Sequence, residues 1–362
     1  MRYIKYLKYT VFFIILLMAL SLVPCFTMST HGNSANYLKQ ALQITKGEQV
    51  DIILNRPVGF PFMIAMVYKV FGISIKNAFY MMRIFYAINL ILLFVLAYEL
   101  FGLKIGFVSS ILMYTSLTLY RVSVPLNLDV VVPVFLLMTL LFIVKNIKTE
   151  KYIYSFLAGL SLALAYMIKE IALLYLPLML VIFMYKRKKG LKFVLINSLL
   201  FYVTFFGFSL PWLILIYTRT GNVLNALGGA SPNVINKYYT ENGVTQLFLN
   251  KNLIQKCIDF YFVYLQKYFF LAPLMLVGWI FVLIKSVLKK GYQYSVLAFA
   301  GILFLPLIIY LGDKGDRIGH ALIFFELSFI AVALFLMEIC RRLNKIADNL
   351  FSSKKKYTFL FI

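Results

Sequence analysis

Charge is scarce in this sequence. Only 14% of its 362 residues are charged, while 62% are hydrophobic and the mean hydropathy is +0.88. Soluble domains carry about 25% charged residues, so this composition excludes a soluble globular protein. Repeated apolar runs near the ~20 residues that cross a bilayer core predict a polytopic membrane protein instead.

Histidine and cysteine are also rare. The chain has 2 histidines, His31 and His320, and 3 cysteines, none in a metal-binding spacing such as CxxC. No GxSxG, HExxH or phosphate-cradling glycine loop occurs either. These absences exclude the common zinc, serine-hydrolase and P-loop signatures.

Positive charge is the one feature in excess, with a formal net charge of +23. The basic residues lie in short loops between apolar runs, where they orient a membrane protein rather than form a phosphate-binding face. We therefore predict membrane lipids, including anionic headgroups, as partners and no nucleic acid.

Long continuous apolar runs predict an all-α fold of about ten transmembrane helices, because spanning strands would be shorter and alternating. The predicted spans are 9–28, 78–101, 105–120, 128–144, 153–168, 171–185, 193–217, 268–288, 294–311 and 320–340.

The distribution of lysine and arginine predicts the orientation of the chain. With the N-terminus inside, short inner loops hold most basic residues, so both termini are predicted to be cytoplasmic. We predict one transmembrane domain over 1–345 and a basic cytoplasmic tail over 346–362 of a multi-pass plasma-membrane protein. Long outer loops, about 29–77 and 218–267, and most acidic residues place any chemistry on the extracytoplasmic side.

The first outer loop carries two helical patterns. The stretch NSANYLKQALQI has apolar residues near helical spacing, with Ser34 as a cap and Gly47 as a terminator. The stretch from Pro57 to Gly72, PVGFPFMIAMVYKVFG, is apolar but short for a span. We predict two interfacial helices on the outer membrane surface.

Several segments, in order, resemble the GT-C superfamily of membrane glycosyltransferases over roughly residues 10–340. They are NSANYLKQALQITKGE, NRPVGFPFMIAMVYKVFGIS, AFYMMRIFYAINLILLFVLAYELFG, SVPLNLDVVVPVFLLMTLLFIV, LAGLSLALAYMIKEIALLYLPLMLV, SLPWLILIYTRTGNVLNALGG and GDRIGHALIFFELSFIAVALF. The superfamily includes protein O-mannosyltransferases and lipid A aminoarabinose transferases, which use polyprenyl-phosphate sugars.

The resemblance implies a transferase that moves a sugar from a polyprenyl-phosphate-linked donor to an acceptor in the cell envelope. The acceptor class stays open among glycan, lipid and protein. The resemblance also implies no resident cofactor and no required divalent metal, because a lipid-linked sugar is the donor substrate. A composition rich in lysine, isoleucine and asparagine is typical of an AT-rich bacterium. The alternative is an inactive GT-C relative or a transporter of lipid-linked sugars.

One position departs from the family pattern. Asn33 stands where the resemblance implies an aspartate that removes the proton of the acceptor, and an amide cannot accept that proton. Another base substitutes, the alignment is displaced, or activity has been lost. His31, Asp51 and Asp129 are the candidate bases, together with Glu48.

Asp129, at the start of an apolar span, matches a second family acid that orients a substrate or the first loop; the alternative is an interfacial carboxylate that balances Arg121. Arg83, near the start of the second span, is a weaker candidate for the site. Trp212, after Pro211, is predicted to be an interfacial anchor.

The resemblance implies cationic contacts to the phosphate of the donor. Arg56, before a proline, has a guanidinium suited to two phosphate oxygens, and headgroup binding is its alternative. Lys169 either adds charge to the phosphate pocket or pairs with Glu170 in a plain turn. Arg317 and His320 open the last span, where phosphate contact or headgroup binding is expected.

Overall fold

The computed structural model describes residues 2–24, 34–50, 57–116, 119–120, 126–181, 191–220, 271–288, 290–303 and 322–351. These ranges are helical and contain no β-strand, which confirms the predicted all-α class.

Helices of very different length make up the described part of the chain. They are α1 Arg2–Ser21, α2 Ser34–Lys46, α3 Gly59–Phe71, α4 Ile75–Phe101, α5 Leu103–Tyr114, α6 Val131–Thr149, α7 Tyr152–Ile168, α8 Leu191–Thr220, α9 Leu271–Val287, α10 Tyr292–Ile302 and α11 Leu322–Phe351. Two 3₁₀ helices, Leu128–Val130 and Glu170–Leu178, precede α6 and follow α7.

Four helical stretches are long and apolar enough to cross a membrane: Ile75–Phe101, Leu128–Thr149, Leu191–Thr218 and Leu322–Asp348. Shorter apolar helices occupy most of the other predicted spans. The protein is therefore a multi-pass membrane protein, and the count of ten spans and the orientation of its termini stay predictions.

One face of α8 shows how the bundle meets lipid. Large apolar side chains are exposed at intervals of three and four residues, on one side of the helix. They are Leu195, Leu199, Val203, Phe206, Leu210 and Ile214. Such a long apolar stripe is costly in water and favourable in a bilayer.

The helices pack in a chain of neighbours. α6 lies between α4 and α7, α7 packs on α8, and α11 packs on α9 and α5. Asp129 begins α6 at one end of this bundle, which we call the Asp129 end.

Polar side chains hold the opposite end of the bundle together. Asn146 on α6 donates to Asn197 on α8 at 2.8 Å and to Ser155 on α7 at 3.1 Å. Lys148 donates to the Glu99 carboxylate at 2.7 Å. These bonds fix the relative heights of α4, α6, α7 and α8, and therefore fix which residues meet at the Asp129 end.

The structure confirms the two helices predicted in the first outer loop. α2 begins at Ser34 and ends before Gly47, whose φ of +73° is a conformation that favours glycine. α3 ends before Gly72. Their placement on the outer membrane surface stays a prediction.

The predicted span 171–185 differs from the observed local structure. Residues Glu170–Leu178 form a 3₁₀ helix that contains Pro177. Proline has no backbone N–H to donate to the preceding turn, which disfavours a regular α-helix there. The tighter 3₁₀ turn places three of its side chains inside the bundle: Ala172, Tyr175 and Leu178.

Candidate functional site

A buried ion pair is the centre of the Asp129 end. Lys169, the residue after α7, donates from its ammonium to Oδ1 of Asp129, in the 3₁₀ turn before α6. The two side chains are only 10% and 7% exposed. Lys169 follows the end of α7, and Asp129 precedes the start of α6. Because α6 and α7 are antiparallel neighbours, these two positions meet at the same end of the bundle.

Asn127 orients the other side of the same carboxylate. Its side-chain Nδ2 donates to Oδ2 of Asp129 at 3.0 Å, and its Oδ1 accepts from the Asp129 backbone N–H at 3.1 Å. Both carboxylate oxygens therefore have donors among described residues. This arrangement fixes the direction of the Asp129 carboxylate.

α2 is tied to the segment that leads into Asp129. The buried Ser34 hydroxyl donates to the Leu126 carbonyl at 2.9 Å. On the same helix, Tyr37 meets Phe60 of α3 edge to face, with ring centroids 5.1 Å apart. The first-loop helices therefore pack directly onto the Asp129 end.

α3 approaches Lys169 through a glycine. A Cβ built on Gly59 would lie 2.3 Å from the Met167 carbonyl oxygen, closer than any real side chain could stand. Only glycine lets the start of α3 press against the last turn of α7, two residues before Lys169. The end of α7 therefore contacts the first-loop helix α3 at Met167 and leads directly into Lys169 of the ion pair.

A second buried cation lies on α4. Arg83 is 1% exposed, and its guanidinium lies over the Tyr120 ring, 4.7 Å from the ring centroid. None of its nitrogens has a hydrogen-bond partner among the described residues. Asn89, six residues further along α4, donates to the Val130 carbonyl at 2.8 Å, so Arg83 lies at the Asp129 end, about 9 Å along the helix from that bond.

The structure brings together two of the predicted site residues, Asp129 and Lys169. Lys169 pairs with Asp129, which was not predicted, rather than in a simple turn with Glu170. The candidate base Glu48 is described: its side chain is exposed and lies 3.8 Å from the Lys46 ammonium. Six other candidates lie outside the described residues, and their roles stay predictions. These are Asn33, His31, Asp51, Arg56, Arg317 and His320.

One prediction about a single residue is wrong, and one buried acid was missed. Trp212 is 1% exposed and part of the core, so it is not the exposed interfacial anchor that its position after Pro211 suggested. Glu326, on α11, was not singled out from the sequence, yet it is fully buried. A carboxylate inside an otherwise apolar run is the sequence signal that could have found it.

Part of the chain matches a known protein family by sequence. The sequence model of the dolichyl-phosphate-mannose-protein mannosyltransferase family matches residues 55–214, which include α3 through most of α8 and both members of the ion pair. No curated protein matches the chain by sequence.

Solved structures share the fold of this chain at low sequence identity. One is ArnT from Cupriavidus metallidurans bound to undecaprenyl phosphate, with a TM-score of 0.61, 11% identity, and coverage of 98% of this chain and 66% of ArnT. Another is the archaeal oligosaccharyltransferase AglB from Archaeoglobus fulgidus, in complex with an inhibitory peptide and a dolichol-phosphate; its TM-score is 0.59 at 12% identity.

The match to AglB covers 97% of this chain and 53% of AglB, so the chain spans about half the length of that protein. A second structure of the Archaeoglobus fulgidus oligosaccharyltransferase, in complex with Zn and sulfate, has a TM-score of 0.64 at 12% identity. These comparisons show that the chain shares the fold of ArnT and of the archaeal oligosaccharyltransferase, which agrees with the predicted resemblance to the GT-C superfamily.

Proposed function

We propose that this GT-C-fold membrane protein is a glycosyltransferase, which moves a sugar from a polyprenyl-phosphate-linked donor to a cell-envelope acceptor on the extracytoplasmic face. The observation that carries the proposal is the buried Asp129–Lys169 pair at the bundle end where α2 and α3 converge. Burying a carboxylate and a cation inside a membrane protein costs free energy, and residues retained at that cost usually serve a functional site.

The lipid-linked donor is supported by the compounds bound to the fold relatives. ArnT was crystallised with undecaprenyl phosphate and AglB with a dolichol-phosphate. Departure of such a lipid phosphate develops negative charge, which buried cations stabilise. Arg83, with no hydrogen-bond partner among the described residues, is suited to that role, together with the predicted phosphate contacts Arg56, Lys169, Arg317 and His320.

Asp129 acts as a positioning residue in this proposal. Its two oxygens accept hydrogen bonds from Lys169 and Asn127, so the carboxylate holds Lys169 in place. In this proposal the proton acceptor is another group. His31 and Asp51 are the first-loop candidates, and Asn33 contributes a hydrogen bond only.

The extracytoplasmic location is supported by the charge pattern of the loops. The Asp129 end is opposite the end that holds Lys145 and Lys148, where the predicted inner loops are basic. No divalent metal is required in this proposal, because cationic side chains such as Arg83 supply the positive charge that stabilises the departing phosphate.

One sequence feature favours a second candidate function. Asn33 replaces the expected carboxylate, which favours a GT-C relative that binds a lipid-linked sugar without transferring it, or one that carries it across the membrane.

A turnover assay distinguishes these functions. Purified protein in lipid nanodiscs is incubated with labelled undecaprenyl-phosphate hexoses and pentoses, with cell-envelope extract as the acceptor. We expect release of undecaprenyl phosphate and transfer of the label into the extract, both lost in Asp129→Asn and retained in the exposed control Asp348→Asn. Binding of undecaprenyl phosphate without release or transfer would show that the protein is an inactive GT-C relative. Movement of labelled donor across proteoliposomes without release would identify a transporter.

A further inference from the structure

Glu99 holds two lysine side chains at the end of the bundle opposite Asp129. Its carboxylate lies 2.9 Å from the Lys145 ammonium and 2.7 Å from the Lys148 ammonium. Lys148 also donates to the backbone carbonyl of Glu99. We call these three residues the Glu99 triad. The triad joins the C-terminal ends of α4 and α6, which pack against each other.

The Glu99 triad has more hydrogen-bond donors than it uses. A lysine ammonium carries three N–H donors. Lys148 directs two of them to Glu99 and Lys145 directs one, so the other three have no partner among the described residues. The two lysine side chains are 34% and 35% exposed, while Glu99 is 17% exposed. The cations therefore face outward from the bundle, with donors to spare.

Further lysines surround the triad. Lys104 lies at the start of α5, Lys151 directly precedes α7 and Lys192 lies at the start of α8, and all three are exposed. On this side of the bundle, 5 described lysines therefore accompany 2 described glutamates, which are Glu99 and Glu150. Such an excess of positive charge raises the local concentration of anions.

An exposed apolar surface begins beside these lysines. Lys151 is followed by Tyr152 and Ile153, which are both exposed at the start of α7. The Tyr152 ring lies 5.5 Å from the ring of Phe193 on α8. From there the exposed apolar stripe of α8 starts at Leu195 and runs toward the other end of the bundle. Cations at the end of an apolar stripe match a molecule with an anionic head and apolar chains.

Tyrosines place the triad at the level of the lipid headgroups. Tyrosine is enriched where a membrane protein crosses the membrane–water interface. Tyr154 stacks on Phe142 with ring centroids 6.3 Å apart, and it is close enough to Lys145 to act on its ammonium electrostatically. The tyrosines of this end are Tyr98, Tyr152, Tyr154, Tyr292 and Tyr294.

We propose that the Glu99 triad is the headgroup site of an anionic phospholipid. The lipid phosphate accepts hydrogen bonds from the remaining N–H donors of Lys145 and Lys148, and the acyl chains lie along the exposed apolar side chains of α7 and α8. The predicted orientation places this end in the cytoplasmic leaflet, whose surface potential is negative. The site is separate from the proposed transfer site, which lies at the Asp129 end.

Two changes within the triad should alter lipid binding in opposite directions. Lys145→Gln/Lys148→Gln removes the donors, so the affinity for phosphatidylglycerol should fall by about tenfold or more. Glu99→Gln removes the competing carboxylate and keeps both cations, so the affinity should stay the same or rise by up to about threefold. Both variants break the same ion pairs, so a purely structural triad would shift both affinities in the same direction.

The affinities are measured by native mass spectrometry, with phosphatidylglycerol and phosphatidylcholine of the same acyl chains as the two probes. The matched control is Lys69→Gln/Lys76→Gln, which removes two exposed lysines from α3 and α4. Lys76 is about 35 Å along α4 from Glu99. The control should bind phosphatidylglycerol as tightly as the wild type does.

A neutral triad covers the case in which an unpaired Glu99 unfolds the protein. Glu99→Gln/Lys145→Gln/Lys148→Gln leaves no charge of the triad without a partner, so we expect a near-wild-type unfolding temperature in phosphatidylcholine nanodiscs. Phosphatidylglycerol should raise the unfolding temperature of the wild type, because a ligand that binds the folded state stabilises it. The same lipid should not raise that of the neutral triad.

Three results would overturn the inference. The first is equal affinity of the wild type for the two phospholipids. The second is a parallel loss of phosphatidylglycerol binding in Lys145→Gln/Lys148→Gln and in Glu99→Gln. The third is inorganic phosphate that stabilises the wild type in phosphatidylcholine as strongly as phosphatidylglycerol does, which would assign the triad to a soluble phosphate compound. None of these results depends on sugar transfer, so the proposed function is tested separately.

Discussion

The Ser34 hydroxyl donates to the Leu126 carbonyl at 2.9 Å, across 92 residues of sequence. This bond joins the first turn of α2 to the segment that enters Asp129. Ser34 directly follows Asn33, and Leu126 directly precedes Asn127, whose side chain orients the Asp129 carboxylate. The bond therefore links the position of Asn33 to the position of the ion pair.

Ser34→Ala should loosen this link. A buried carbonyl loses its described donor, which costs about 1–3 kcal/mol. We expect a lower unfolding temperature and a raised KM for the lipid-linked donor, with kcat less affected. The comparison is Ser21→Ala, since Ser21 is an exposed serine that bonds Tyr114 at 3.0 Å. Equal effects of the two substitutions would show that the Ser34 bond has no special role.

The Asp129–Lys169 pair should show strong energetic coupling. Asp129→Asn or Lys169→Met alone leaves the other charge buried, and each should destabilise the protein by about 3–5 kcal/mol. The double variant should cost less than the sum by at least ~1 kcal/mol. SDS-induced unfolding of the four proteins gives the coupling energy directly, and additive costs would mean that the pair is not an interacting unit.

Gly59→Ala should separate α3 from α7. The new methyl group would meet the Met167 carbonyl oxygen at 2.3 Å, so the helices must move apart, at a cost of about 1–3 kcal/mol. Transfer should fall because Lys169 lies two residues beyond the contact. The matched control is Gly207→Ala on α8, where a Cβ meets nothing within 4 Å.

In the control, the added methyl group should be neutral or stabilising by up to ~1 kcal/mol, because alanine favours a helix over glycine. Turnover and unfolding temperature measured on both variants test the contact. A Gly59→Ala protein that behaves like Gly207→Ala would contradict it.

Arg83 should bind the phosphate of the donor. Arg83→Gln removes the buried charge over Tyr120 and should weaken undecaprenyl phosphate binding by about tenfold. Arg83→Lys should retain only part of the affinity for undecaprenyl phosphate, because an ammonium lacks the planar guanidinium that holds two phosphate oxygens. Native mass spectrometry titrations report the binding, with the exposed Arg341→Gln as control. Unchanged affinity in Arg83→Gln would exclude the contact.

Local patterns in the sequence were enough to predict the helices. The polar start at Ser34 and the stop at Gly47 predicted the bounds of α2 correctly, because the positive φ of a terminating glycine is a property of a few neighbouring residues. The capping role predicted for Ser34 is not shown, and its hydroxyl donates to Leu126 instead. The long span 193–217 lies within the helix Leu191–Thr220 for the same reason. Pro177 was visible too, but the apolar pattern was given more weight than its missing backbone N–H, so an α-helical span was predicted where a 3₁₀ helix forms.

The site was predictable only in part. Asp129 and Lys169 were each singled out, but their pairing depends on the relative heights of α6 and α7, which the distant Asn146 and Asn197 help to fix. Glu326 gave a local signal, a charge within an apolar run, but its orientation depends on Trp279 of another helix. Contacts between helices are long-range, and a single sequence does not encode them in any short pattern.

The contact at Gly59 couples two parts of the protein mechanically. α3 exposes Phe62, Met66 and Val70 along one face, while its start is pressed against the backbone of α7 next to Lys169. A change in bilayer thickness or acyl-chain order that shifts α3 must also shift this backbone. The physical state of the membrane is thereby transmitted to the ion pair, which makes lipid composition a variable of the site itself.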